Sequence, residues 1–296
     1  MGPPRPAVGK PVPLTIPDLS DVTLVCVDTR TPTAALSALE RSRRACRFHA
    51  ALLFSDVAAV PDGIGLVRIP RLADAAAYSH FLMKELVRHV ATPFTLVIQW
   101  DGFVVDGAAW SDAFRRYDYI GAPWTWHPPG QRVGNGGFSL RSRRLLEALR
   151  DDRFPAAHPE DDAIGRRYRA ALEQRCGIVF APEEVAARFA YERGTPPGPT
   201  FGFHGFFNLW RHMDAAGLAA LVESLPPAVL AGREGCELAE ALLRTGLRGA
   251  ALRRLATCIA TGLGGLDPRV RGGPAVACLE RGLPDRKSTR LNSSHI

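Results

Sequence analysis

The sequence predicts an α/β fold, a mostly parallel central sheet flanked by helices. Three observations carry that expectation. Continuous β-type runs at Val22–Val27, Ala50–Phe54, Leu66–Ile69 and Phe94–Gln99 are almost free of charge, as in strands buried on both faces. Between them lie stretches with helical spacing of apolar residues, Thr33–Cys46 and Asp74–Val90. Strand and helix alternate, which favours parallel pairing through right-handed crossovers. A chain of 296 residues suffices for one large domain and an appendage.

The first stretch, residues 1–20, is proline-rich: six of the first seventeen residues are Pro. Proline blocks regular pairing, so this reads as a flexible leader. It has no apolar core segment and is not a secretory signal. No apolar run approaches the ~18 residues of a membrane span, and a cytoplasmic location is the default expectation.

Residues 21–212 form the expected main domain. Strand Val22–Val27 ends in Asp28, Thr29 and Arg30, and strand Ala50–Phe54 in Ser55 and Asp56. Parallel sheets bind ligands beyond the carboxyl ends of their strands. These residues are therefore candidates for holding a nucleotide base and ribose, with an ordinary turn as the alternative. No Gly-x-Gly-x-x-Gly follows the first strand and no P-loop is present, which argues against a dinucleotide oxidoreductase and a P-loop kinase. In helix Asp74–Val90, Tyr78, Phe81, Leu82, Leu86 and Val90 make a buried stripe, and Lys84 either meets a phosphate or is solvated.

Strand Phe94–Gln99 runs into Trp100-Asp101-Gly102. A carboxylate at the end of a central strand is placed to hold Mn²⁺ or Mg²⁺; a plain Asp-Gly turn is the competing explanation. Trp110–Arg116 reads as a short helix and Tyr117–Gly121 as a strand. The loop 122–130 offers Trp124 and Trp126, which suit sugar stacking or, for one of them, core filling. Gly134, Asn135, Gly136 and Gly137 then leave a strand poor in side chains, where backbone can approach a ligand closely. Glu160, Asp161 and Asp162 open a helix to Glu173. Adjacent carboxylates repel, so the trio is either a functional cluster or a helix cap. Gly177–Phe180 reads as a strand and Pro182–Phe189 as a helix. His204, between glycines and aromatics, is either packed or a metal ligand.

Residues 213–272 are expected as a helical appendage that covers the domain or binds a partner, and 273–296 as a disordered or artefactual tail. Net charge is +7, almost all of it arginine, and lysines occur only at 10, 84 and 287. The arginines are spread with no basic arm, so no nucleic-acid partner is expected. Cysteines 26, 46, 176, 236, 258 and 278 contain no Cys-x-x-Cys pair and read as reduced, mostly buried thiols.

Taken together, Gln99–Gly102, Tyr119–Trp124, Gly134–Arg141, Glu160–Asp162 and Phe201–His204 resemble the motif series of an uncharacterised glycosyltransferase-like family with the GT-A fold. The glycine strand followed by Glu-Asp-Asp is also similar to the β-1,4-galactosyltransferase arrangement. The resemblance covers roughly residues 21–210. It implies transfer of a sugar from a nucleotide-diphosphate sugar to a carbohydrate or other hydroxyl acceptor, metal-assisted and inverting, or else a non-catalytic binding module of the same shape. It implies Asp161 as base, with Glu160 and Asp162 orienting the acceptor or sugar. With the positional readings above, the donor-binding candidates are Asp28, Thr29, Arg30, Asp56, Lys84, Asp101 and Gly134–Gly137, and the sugar-stacking candidates Trp124 and Trp126. Asp101 and His204 would be the ligands of Mn²⁺ or Mg²⁺. The usual Asp-x-Asp has Gln99 in its first place here, which leaves one carboxylate. Oligomeric state stays open.

Overall fold

The computed structural model describes residues 16–196 and 198–262. The leader up to residue 15 and the tail 273–296 lie outside the described residues. Strand β1 spans Asp18–Val27, so pairing begins inside the stretch expected as leader: Asp18 and Leu19 sit opposite Arg47 and Phe48. Helix α1 (Pro32–Ala45) follows, then β2 (Arg47–Ser55) and β3 (Gly65–Arg68). The stretch expected as one helix from Asp74 to Val90 is α2 (Ala75–His80), a π-helical turn Phe81–Glu85 and a 3-10 turn Leu86–Arg88. Asp74 caps it, accepting from the Ala77 amide at 2.8 Å. β4 (Phe94–Ile98), β5 (Tyr119–Gly121) and β6 (Phe138–Ser142) complete a six-stranded sheet of order β3-β2-β1-β4-β6-β5.

β3, β2, β1 and β4 are parallel, while β6 runs antiparallel to both β4 and β5. The chain moves outward from β1 to β3 and then returns to the other side of β1 as β4. The β1/β4 boundary is thus the switch point of the sheet, where open α/β sheets bind ligands. Because β6 is antiparallel, its leading residue Gly137 meets the same rim as the ends of β1 and β4, and its carbonyl accepts from the Gln99 amide at 2.8 Å.

The central strands are buried on both faces. Leu24, Cys26, Leu96 and Ile98 face one apolar core, and Val25, Val27 and Val97 face a second with Phe81, Leu82 and Leu86. This is the mostly parallel, helix-flanked α/β architecture expected of a GT-A-like sheet. α3 (Arg143–Ala148), α4 (Glu160–Asp162), a π-helical turn Ala163–Arg167 and α5 (Arg169–Cys176) pack beyond β5. α6 (Glu183–Phe189) leads to a two-stranded parallel pair, β7 (Ala190–Tyr191) and β8 (Gly202–Phe203). The expected strand Gly177–Phe180 is reduced to a single bridge between Phe180 and Tyr119. Asp118 has replaced the rest of the pairing: its carboxylate accepts from the Val179 amide at 2.8 Å and from Ser142 Oγ at 2.6 Å.

α7 (Ala215–Ser224), α8 (Pro227–Leu230), α9 (Arg233–Arg244) and α10 (Ala250–Gly262) end the described chain. Leu218, Val222, Leu238, Leu242 and Leu255 belong to the same apolar cluster as Leu24 and Ile98 of the sheet. Among the described residues no helix is long and apolar enough to cross a membrane. The five described cysteines are free, four of them buried and Cys176 half-buried; Cys278 lies outside the described residues.

Candidate functional site

A cleft of about 420 Å³ opens at the switch point, lined by Val27–Thr31 after β1, Gln99 and Trp100 after β4, and Gly137 before β6. Leu72, Asp74, Ala75 and Tyr78 line it from the α2 side, His158–Asp161 from α4, and His204 and Val229 from the later chain.

The β1 end supplies a loop that holds itself in shape. Asp28 accepts from the amides of Arg30 (2.7 Å) and Thr31 (2.6 Å) and from Thr31 Oγ1 (2.7 Å). Its carboxylate is spent on that turn, so what the loop offers is backbone and Arg30. Arg30 Nη2 donates to the Ala73 carbonyl at 3.0 Å, which holds the guanidinium at the cleft. Thr29 is buried, and its Oγ1 accepts from the Leu72 amide at 3.1 Å.

The glycine strand is poor in side chains because protein, not open space, lies against it. A Cβ on Gly134 would sit 2.2 Å from the Trp124 ring, one on Gly136 2.8 Å from Asp161 Cβ, and one on Gly137 2.1 Å from His204 Nε2. Gly165 closes on the strand from the helix side, 3.0 Å from Gly134 Cα by the same measure. The glycines therefore let the acidic helix press against β6. Of this stretch only Gly137 lines the cleft. Buried Asn135 turns inward, its Nδ2 3.1 Å from His204 Nδ1.

That seam positions the acids. Asp161 Oδ2 accepts from the Gly136 amide at 3.0 Å and Oδ1 from the Asp162 amide at 2.8 Å. Burial, and after it the neighbouring Glu160 charge, push its pKa up to about 6. Glu160 is buried and receives Arg141 Nη2 at 3.1 Å; Arg141 has no exposed surface. Arg141 is the anchor of the seam, since Nε also donates to Ser139 Oγ at 3.0 Å and its guanidinium lies 5.6 Å from the Tyr119 ring centre. Asp162 turns away to Arg166 (2.6 Å) and Arg167 (2.8 Å).

Asp101 and His204 meet beneath the cleft, 3.4 Å apart through Nε2 and Oδ1. His204 Nε2 is also 3.1 Å from Gln99 Oε1, and Nδ1 is 3.4 Å from Glu192 Oε1. Burial opposes charge on this ring, but Asp101 and then Glu192 outweigh it and hold the imidazole pKa well above its ordinary value. Burial likewise opposes charge on Asp101, yet the ring's charge keeps its carboxyl below the usual range. Both ring nitrogens are thus engaged within the protein, Nδ1 beside Asn135 and Glu192 and Nε2 beside Gln99 and Asp101. Among the described residues no three His, Cys, Asp or Glu side chains form a group that could hold a metal ion. Two side chains fall short of a closed metal centre, although the buried Asp101 Oδ1 has no hydrogen-bond partner, and no step below passes through a metal. In place of a first acid, Gln99 accepts a hydrogen bond from His204 Nε2 on Oε1 and donates through Nε2 to the Tyr78 hydroxyl at 2.9 Å.

Several expected site residues lie elsewhere. Lys84 Nζ donates to the carbonyls of Leu149 (2.6 Å) and Asp151 (3.0 Å), stitching helix ends rather than meeting phosphate. Asp56 is exposed and does not line the cleft. Trp124 is core filler under Gly134, and Trp126 stands 55% exposed outside the cleft, so neither is placed for sugar stacking there. The aromatics that line the cleft are Tyr78 and Trp100. Sequence reasoning placed Tyr78 in the core stripe and gave no role in the site to Trp100, Arg141, His158, Glu192, Val229 and Glu234. Arg141 did leave a signal, a charge within a buried strand.

Comparison with known proteins follows the same span. A family model described as "Protein of unknown function (DUF5672)" matches residues 65–204, from β3 through His204. No curated protein matches the chain. Among solved structures it is similar to the mannosyltransferase PcManGT from Pyrobaculum calidifontis, in complex with GDP-Man and Mn²⁺. That likeness has 16% identity, covers 94% of this chain and 83% of that one, and has a TM-score of 0.39.

Proposed function

We propose that the chain is a glycosyltransferase, moving a sugar from a nucleotide-diphosphate sugar to an acceptor hydroxyl with Asp161 as the base. One observation carries the reading. At the sheet's switch point a half-buried carboxylate, raised to about 6, lines the same cleft as the β1 loop and Arg30. A base with that pKa is mostly ionised at neutral pH yet basic enough to take a hydroxyl proton.

In the step itself the acceptor oxygen attacks the anomeric carbon as its proton passes to Asp161. The bond to the diphosphate breaks, and the nucleoside diphosphate leaves with the electron pair. Arg30 is the guanidinium in the cleft set to meet that diphosphate. Glu160 is no nucleophile: it is buried, with one oxygen on Arg141 and the other 3.4 Å from Ser79 Oγ. Of the acidic trio, Asp161 alone lines the cleft without an arginine partner, which suits direct, inverting displacement. The β1 loop and Gly137 take the donor, and residues 21–212 carry the chemistry.

The test uses UDP-, GDP- and dTDP-sugars, with binding followed by thermal shift and turnover by release of the nucleoside diphosphate. Asp161→Asn should keep donor binding and lose ~10²–10⁴-fold in turnover. Near-parental turnover in that variant removes Asp161 from the scheme. Gln99 in the place of a first acid also favours a binding module without catalysis; tight donor binding with no turnover by the parental protein would decide for that reading.

A further inference from the structure

We infer that His158 orients the acceptor beside Asp161, and that the acceptor is a polyhydroxy compound gripped through a second hydroxyl. The inference rests on the transferase reading above. His158 is exposed and lines the cleft three residues before Asp161. Its Nδ1 is 2.9 Å from Ser79 Oγ, and Ser79 has no exposed surface. The same Ser79 oxygen is 3.4 Å from Glu160 Oε2.

Proton accounting along this chain selects a ring tautomer, because a charged carboxylate is a stronger acceptor for the Ser79 proton than a neutral imidazole nitrogen. Glu160 is ion-paired with Arg141 and is an acceptor only. Ser79 has one proton to give. Given to Glu160, it leaves the serine oxygen to accept from His158 Nδ1–H. A neutral ring with its proton on Nδ1 carries its lone pair on Nε2. No hydrogen bond within the described protein reaches Nε2. The cleft therefore offers two acceptors from one short segment: the Asp161 carboxylate, which takes a proton outright, and His158 Nε2, which accepts a hydrogen bond and moves no proton. A ligand matching both carries two hydroxyls, one that reacts and one that is held. A simple alcohol satisfies only the first.

The experiment uses the full chain with whichever of the UDP-, GDP- or dTDP-sugars it turns over, and three acceptor probes: methyl β-D-glucopyranoside, glycerol and 1-propanol. The parental protein should prefer the two polyols to propanol. His158→Ala should raise the polyol KM roughly three- to ten-fold, the worth of one neutral hydrogen bond, with kcat changing less. Partition should shift from transfer towards hydrolysis of the donor by a similar factor. His158→Gln, which restores an acceptor oxygen, should recover part of the loss. Ser79→Ala, which frees the ring, should raise the polyol KM in the same direction. An unchanged polyol KM in His158→Ala overturns the assignment, as does an equal fall in kcat for polyols, propanol and water. Equal use of propanol and polyols by the parental protein overturns the substrate class. A parental protein that turns over no donor overturns both this inference and the reading beneath it; a working transferase with an indifferent His158 overturns this inference alone.

Discussion

Asp161 shows how much one carboxylate's surroundings decide. Burial and the Glu160 charge lift it to about 6, while two backbone amides pull the other way. If it must be ionised to act, kcat/KM should fall about ten-fold per pH unit below ~6 and level off above; a profile flat to pH 5 would remove the base. The same shift marks stability. A carboxyl whose folded pKa exceeds its unfolded 3.8 favours the fold while protonated, and that contribution is lost as pH rises through about 6. Between pH 3.5 and 7.5, Asp161→Asn should therefore gain on the parental protein, by on the order of 1–3 kcal/mol, in urea unfolding at the two pH values. Arg141 makes the complementary case. Removing it alone leaves Glu160 buried without its cation, so Arg141→Met should cost about 3–5 kcal/mol, and adding Glu160→Gln should return much of that. No residual cost in the single variant would mean the pair is not the anchor it looks to be. Asp161 and Glu160 were legible in the sequence as an acidic trio. The resemblance singled out Asp161 as base, but that Glu160 pairs with Arg141 and Asp162 turns to Arg166 and Arg167 was not legible, because distances no spacing rule measures decide it.

At the level of elements, the seam between β6 and the α4 region is where sequence and structure agree for a different reason than expected. The glycines at 134, 136 and 137 did signal close approach, but the approaching groups are Trp124, Asp161 and His204. Gly136→Ala would place a methyl 2.8 Å from Asp161 Cβ and 2.9 Å from Glu160 Oε1. The helix must then back away, breaking the 3.0 Å bond from the Gly136 amide to Asp161. A loss of ~1–3 kcal/mol in stability and a disproportionate loss of turnover should follow. Gly198→Ala, where nothing lies within 4 Å and φ is unremarkable, is the matched control and should behave as parental. Strands were the most readable elements, because β1, β2 and β4 are buried on both faces and need continuous apolar runs. Helices were read too long: the 75–88 stretch keeps helical periodicity through π and 3-10 turns, so its apolar stripe was visible and its breaks were not. The Gly177–Phe180 run has strand composition, but the Asp118 side chain takes the amide that a strand partner would have used.

Across the whole molecule, the C-terminal helices pose the sharpest choice. Sequence offered them as a cover or a partner-binding appendage, since amphipathic helices look alike in either role. Their place in the fold favours a third part, a wall of the cleft. Val229 of α8 lines the cleft, and α9 sends half-buried Glu234 toward the Asp101, Glu192 and His204 cluster. Burial, then the Asp101 charge, raise Glu234 to about 7. The corner is fixed tightly: a Cβ on Gly235 would lie 2.0 Å from the Leu230 carbonyl oxygen, and Arg193 bridges to Glu237 at 2.6 Å. A wall held that firmly cannot yield to a larger side chain at its tip, and Val229 is only half-buried, so the bulk would project into the cleft rather than the core. Val229→Trp should therefore weaken donor binding ~10-fold or more, about 1.4 kcal/mol or above, while the melting temperature of the unliganded protein stays close to parental. Donor titration and thermal unfolding of the same preparation separate the possibilities. Unchanged affinity would detach the C-terminal helices from the cleft and return them to the role of a cover, whereas a fall in melting temperature as large as the loss of binding would mean that Val229 packs the core instead of bounding the site.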